Sequence, residues 1–185
     1  MIQDGAVGAT GTGNWAYVTS AETGDRAELV VDVFGDVQTG ANQDIVLWLR
    51  TVEADLDDGI EVLWAISPNT NAVQVDRIDL PFAFVELPAP VSPGLHSFEA
   101  EITASNQIEV TIDGALVLAA PLGTVPPPGR TGLGFFRTGT PSVRITSFVA
   151  RTGALRSRWT VTLRFPFAAI PSAVLQGLAP GQARI

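Results

Sequence analysis

The chain has 185 residues, within the span of one domain, and a hydrophobic content of 46% against 16% charged residues excludes a disordered polymer. Its net charge is −8, every cation is arginine, and no basic run occurs, which argues against a nucleic-acid partner because such a surface repels phosphate at long range. The absence of cysteine removes disulfides, thiolate metal sites and thiol nucleophiles together.

In chain order, Met1-Ile2-Gln3-Asp4-Gly5 lacks the basic and apolar regions of a secretory signal, so export by that route is not expected. Residues 1–14 are rich in Gly and Ala and read as a flexible or partner-ordered arm. Strands begin at Trp15. The turn Thr23-Gly24-Asp25 precedes a strand over Glu28–Val33, and the continuous apolar run Ile45–Leu49 reads as a central strand covered on both faces.

Asp58-Gly59 and Asp113-Gly114 each read as a type I′ hairpin turn, whose two central residues need positive φ. The first leads into Ile60–Ile66; the second joins Gln107–Ile112 to Ala115–Leu118. Phe98, Ala100 and Ile102 alternate with Glu99, Glu101 and Thr103, as a half-buried strand requires. Further strands are expected at Gly132–Arg137 and Ser142–Ala150. The proline-rich breaks at 88–90, 92–94 and 125–129 are loops within one domain, and neither a long helix nor a repeat appears. The pattern implies an all-β fold of two antiparallel sheets over 15–152, followed by an extension over 153–185.

That extension alternates strictly at first, with Trp159, Val161, Leu163 and Phe165 on one face, and continues with Phe167, Ile170, Val174, Leu175 and Leu178. Leaving these in water would forgo roughly 1.5–3 kcal/mol for each large side chain. The tail therefore folds back on its own sandwich or docks on another subunit by strand addition, giving a homo- or hetero-oligomer. Prolines 166, 171 and 180 break the uncharged run 165–183, so it is not expected to span a membrane.

The segments Ser92-Pro93-Gly94-Leu95-His96-Ser97-Phe98, Ile108–Gly114, Gly132-Leu133-Gly134-Phe135 and Val143–Val149 together resemble the strand order of the laminin-G and concanavalin-like family. The likeness covers about Trp15–Arg151 and implies a concanavalin-like jelly-roll β-sandwich. Among members, short cysteine-free modules without a signal are similar to those of bacteriophage tail and capsid-surface (decoration) proteins. The resemblance thus implies a non-enzymatic virion component, assembled with other virion subunits in the host cytoplasm and attaching to a surface or host glycan. The alternatives are a carbohydrate-binding module of a bacterial surface or secreted system, and an inactive or divergent glycosidase relative.

Glycosidases of this fold carry Glu-x-Asp-x-x-Glu on one strand; here Glu53 and Asp55 match the first two positions, while Asp58 is shorter and opens the expected turn. No catalytic residue is therefore assigned. Asp55, Asp57 and Asp58 are weak calcium candidates without the complete loop spacing, and no other cofactor is expected. His96, the single histidine, reads as a structural residue rather than a ligand or base. For glycan stacking the candidates are Trp15, Tyr17 and Trp48, with Trp64 assigned to the core. No single stretch joins an exposed aromatic to a carboxamide and an acid.

Overall fold

Period-two alternation of apolar and polar residues sets the architecture, because it gives each strand one face to bury. Arg26–Val33 alternates buried and half-buried along its whole length, and Ile60–Ser67 repeats the pattern through Trp64. A computed structural model describes residues 5–6, 14–33, 43–51, 59–77, 80–137, 143–151 and 174–175. The strands are β1 (Gly5–Ala6), β2 (Asn14–Thr23), β3 (Arg26–Val33), β4 (Gln43–Thr51), β5 (Ile60–Ser67), β6 (Thr70–Arg77) and β7 (Leu80–Glu86). They continue with β8 (Gly94–Ile102), β9 (Gln107–Ile112), β10 (Ala115–Pro121), β11 (Arg130–Arg137), β12 (Val143–Arg151) and β13 (Val174–Leu175).

Two antiparallel sheets form the sandwich. One is five-stranded in the order β10-β9-β8-β3-β12, the other six-stranded in the order β2-β11-β4-β5-β6-β7. Between them lie Leu29, Val31, Phe98, Ala100, Ile108 and Val110 from the first, and Ile45, Leu47, Ile60, Val62, Trp64 and Val73 from the second. The interior indole of Trp64 donates to Asn71 Oδ1 at 2.9 Å, so the core's largest ring leaves no polar atom unpaired. Trp64 is a core residue, as the alternation predicts.

Asp113-Gly114 forms the expected turn: Ile112 pairs with Ala115, and φ is 53° at Asp113 and 76° at Gly114. Asp58-Gly59 does not. Leu49 pairs with Ile60 and β4 runs on to Thr51, so the β4–β5 connection is not a two-residue turn. Gly59 serves a different purpose, since a Cβ there would lie 2.7 Å from the Leu49 carbonyl oxygen and 2.9 Å from the Thr51 nitrogen. Close approach of backbone, not positive φ, is what demands glycine at this position.

The end of β4 carries a second special residue. Arg50 has φ 57°, a conformation disfavoured for residues with a side chain. Its Nε donates to Asp25 at 2.6 Å and its Nη1 to the Pro126 carbonyl at 2.7 Å, which ties three connections together at one end of the sandwich.

Of the expected N-terminal arm and C-terminal extension, Gly5–Ala6, Asn14 and Val174–Leu175 are described; Asn14 opens β2, and Gly5–Ala6 pairs antiparallel with Val174–Leu175 within this chain. The other docking candidates, Trp159, Val161, Leu163, Phe165, Phe167, Ile170 and Leu178, lie outside the described residues. Among the described residues no helix is long and apolar enough to cross a membrane.

Candidate functional site

The face of the six-stranded sheet turned away from the core is where the register gathers chemistry. Adjacent rows run across its strands. Val46, Leu63, Gln74 and Phe84 are consecutive partners across β4–β7, and Asp44, Ala65, Ala72 and Glu86 form the next row. The two alanines give the second row a low floor between Leu63–Gln74–Phe84 on one side and the β5–β6 hairpin on the other. The result is a groove of about 200 Å³ lined by Leu63, Ala65, Asn69, Ala72, Gln74 and Phe84, with Glu86 and Leu87 at its outer end. This is below the roughly 300–1,000 Å³ of pockets for drug-sized ligands and suits one ring resting on a surface.

Phe84 is 58% exposed, unusual for a ring of that size. Its cross-strand partner Gln74 has its amide nitrogen fixed by both Asp76 oxygens, at 3.0 and 2.8 Å, so the carboxamide is oriented before any ligand arrives. Asn71 closes the groove from below: its amide nitrogen donates to the Pro88 carbonyl at 2.6 Å while its oxygen holds Trp64. The site thus joins an exposed aromatic, a carboxamide and the Glu86 carboxylate, contributed by β6 and β7.

Trp48, a stacking candidate, is buried at 4% exposure on this same face with Val46 and Leu63. Its indole nitrogen donates to Glu61 at 3.2 Å, so it is not a solvent-facing platform. The candidates Trp15 and Tyr17 sit on edge strand β2 in register with Phe136 and Gly134; their side chains lie outside the described residues. So do Glu53, Asp55, Asp57 and Asp58, the glycosidase-like and calcium candidates. Among the described residues no cluster of three or more His, Cys, Asp or Glu side chains could hold a metal ion.

Two carboxylates, Glu61 and Asp76, are direct cross-strand partners on the outer face. Burial pushes the Asp44 carboxyl above its ordinary range. Asp44 lies four residues along β4 from Trp48, the partner of Glu61, or about 13 Å at the usual strand rise.

His96 belongs to the sandwich rather than to the groove. Its Nδ1 lies 2.7 Å from Asp113 Oδ2 and its Nε2 2.8 Å from the Ser92 carbonyl, and its ring meets Trp64 edge-on at 6.1 Å. Burial is the largest influence on its pKa and lowers it, but the hydrogen bonds to Asp113 and Ser92 and the Asp113 charge outweigh it, and the net shift is upward. Asp113 Oδ1 accepts the Ser97 amide at 2.9 Å. The single histidine is a fully engaged structural group.

No protein-family model matches the chain, and no curated protein matches it. Solved structures do. The carbohydrate-recognition domain of Emp46p, in its potassium-bound form, matches with TM-score 0.54 and 11% identity over 77% of this chain and 80% of that one. The carbohydrate-binding module CBM66 from Bacillus subtilis matches with TM-score 0.52 and 16% identity over 72% and 89%. Crh5 transglycosylase in complex with NAG matches with TM-score 0.51 and 17% identity over 85% and 76%. The likeness is one of fold alone. The chain is an all-β sandwich of the concanavalin-like jelly-roll kind, an architecture shared by binding modules and enzymes.

Proposed function

We propose that this chain is a carbohydrate-binding module that holds a sugar ring against Phe84 in the outer groove of its six-stranded sheet. The observation that carries the reading is the 58% exposed Phe84 ring beside the oriented Gln74 carboxamide. A sugar presents a C–H face and a rim of hydroxyls, which is the complement of an aromatic plane edged by a carboxamide and a carboxylate. Carbohydrate-binding proteins among the similar folds support this assignment.

The reading is of binding without catalysis. Hydrolysis of a glycoside needs an acid of raised pKa and a second carboxylate within about 5–9.5 Å. Among the described residues the carboxyl that burial raises is Asp44, about 13 Å along β4 from the position that pairs with Glu61 and so beyond that range. The virion role expected from the resemblance draws no support from the similar folds, which include carbohydrate-binding proteins, so the carbohydrate-binding reading is the one proposed here.

Screening the full chain on a glycan array, then titrating the best ligand calorimetrically into wild type and Phe84→Ala, tests the reading. Loss of at least about tenfold in affinity is expected for an aromatic anchor. Unchanged affinity in Phe84→Ala, with the variant folded by circular dichroism, would refute the assignment of the groove.

A further inference from the structure

The groove has a charge character that narrows its ligand. Glu86 lines it, Asp44 ends the same row three strands away, and Asp76 holds the carboxamide of its neighbouring row. Among the described side chains no cation balances these. Arg50 is bound to Asp25 and the Pro126 carbonyl, and Arg77 points its guanidinium to the carbonyls of Leu122 and Thr124. Arg26 pairs with Glu99 and Glu101 on the other sheet. Arg130 is in register with Thr51, at the far end of the sheet from the β5–β6 hairpin.

We propose that the groove selects a glycan carrying a protonated amine, a glucosamine-type residue, over its neutral N-acetylated counterpart, and rejects glycans bearing carboxylate or sulfate. The proposal rests on the glycan-binding reading of the same groove. Phe84 and Glu86 are two residues apart on one strand and so point to one face. An ammonium on a ring stacked at Phe84 gains attraction from the aromatic face and a charge-assisted hydrogen bond from Glu86 together. A carboxylate or sulfate in that place would meet the Glu86 charge, with no cation among the described side chains to neutralise it. Acetylation of the amine removes the charge while leaving the ring and its linkages intact, so the two ligands differ in the one property at issue.

The test uses the full chain and three oligosaccharides of equal length: β-1,4-linked glucosamine, its fully N-acetylated form, and a hexuronate oligomer. Calorimetry at mildly acidic pH and low salt should show the glucosamine oligomer binding about fivefold or more tighter than the N-acetylated one, with no binding of the hexuronate. Glu86→Gln should abolish the preference. Glu109→Gln, which removes the same charge from the outer face of the other sheet, should leave it intact. Equal affinity for the charged and neutral oligomers overturns the proposal, as does equal loss of preference in both variants, which would mean attraction to the acidic molecule as a whole. Both outcomes leave sugar binding at Phe84 standing if Phe84→Ala still loses the neutral ligand. If Phe84→Ala binds every oligomer like wild type, the site reading itself falls, and the charge selectivity falls with it.

Discussion

Replacing Asp113 with asparagine isolates a single proton in this molecule. Asn-Gly suits a type I′ turn as well as Asp-Gly, so the β9–β10 hairpin is expected to keep its φ of 53° and 76°. What changes is the partner of His96. In the wild type both ring nitrogens face acceptors, at 2.7 and 2.8 Å, and only the imidazolium donates from both. In Asp113→Asn the amide oxygen keeps the Ser97 N–H, and the amide nitrogen then faces Nδ1. That arrangement fits a neutral ring that accepts at Nδ1 and donates from Nε2 to Ser92. Burial, which lowers the His96 pKa, is then opposed by less, and the net direction reverses from above the ordinary 6.5 to below it.

The energy at stake is one charged hydrogen bond, about 1–2 kcal/mol, toward the lower end of its range because half of the Asp113 side chain is in water. The sign follows from a raised folded-state pKa. The imidazolium's contribution is fully present below 6.5 and is lost as pH rises through the higher folded value. Asp113→Asn should therefore be less stable than wild type in mild acid, with the gap closing at alkaline pH. The chain has one histidine, so its ring proton resonance gives the titration without assignment, and urea unfolding across pH gives the stability. A wild-type midpoint at or below the ordinary value, or an unmoved midpoint in Asp113→Asn, would refute the reasoning.

Gly59→Ala should cost about 1–3 kcal/mol, since its Cβ would meet backbone at 2.7–3.0 Å. Gly114→Ala has open space at φ 76° and should cost only about 1 kcal/mol of backbone strain. Differential scanning calorimetry separates them by the order of their Tm values. Asn71→Leu leaves the Trp64 indole N–H without an acceptor and should destabilise by about 1–3 kcal/mol, read as a lower urea midpoint. Arg50→Ala loses both of its anchors yet keeps the φ of 57°, whereas Arg50→Gly loses the anchors and relieves the backbone, so the glycine variant should be the more stable in urea unfolding. Asp44, raised by burial, costs stability when ionised. Asp44→Asn should stabilise the protein at neutral pH but not below the ordinary carboxyl value of 3.8, which pH-dependent thermal melts would show.

The strands with clean alternation were readable from residues alone: β8 through Phe98, Ala100 and Ile102, and β9 through Ile108 and Val110, all buried as expected. Ile45–Leu49 was legible as a strand covered on both faces, and Val46 and Trp48 are indeed buried opposite the core side. The strands that carry the groove were not. In β6, Asn71, Gln74 and Asp76 dilute the apolar signal, and Pro81 inside β7 argues against a strand unless it lies at a sheet edge, which β7 does. Phe84, Gln74 and Ala65 are neighbours only because of cross-strand register, a property no local window contains. Gly59 misled for a related reason: the dipeptide Asp-Gly signals a tight turn, whereas this glycine answers to the backbone of Leu49 and Thr51 ten and eight positions away.

The strand order also governs how the molecule must be made. β11 sits between β2 and β4 and pairs with both, while β3 lies between β8 and β12. Neither sheet can close until strands from the later half of the chain emerge from the ribosome. Until then β4 exposes its Ile45–Leu49 segment along an open edge, a template for pairing with another nascent chain. Such non-local pairing predicts slow folding, and a variant that weakens β11 should lower the yield of soluble protein at high expression rates before it measurably lowers equilibrium stability.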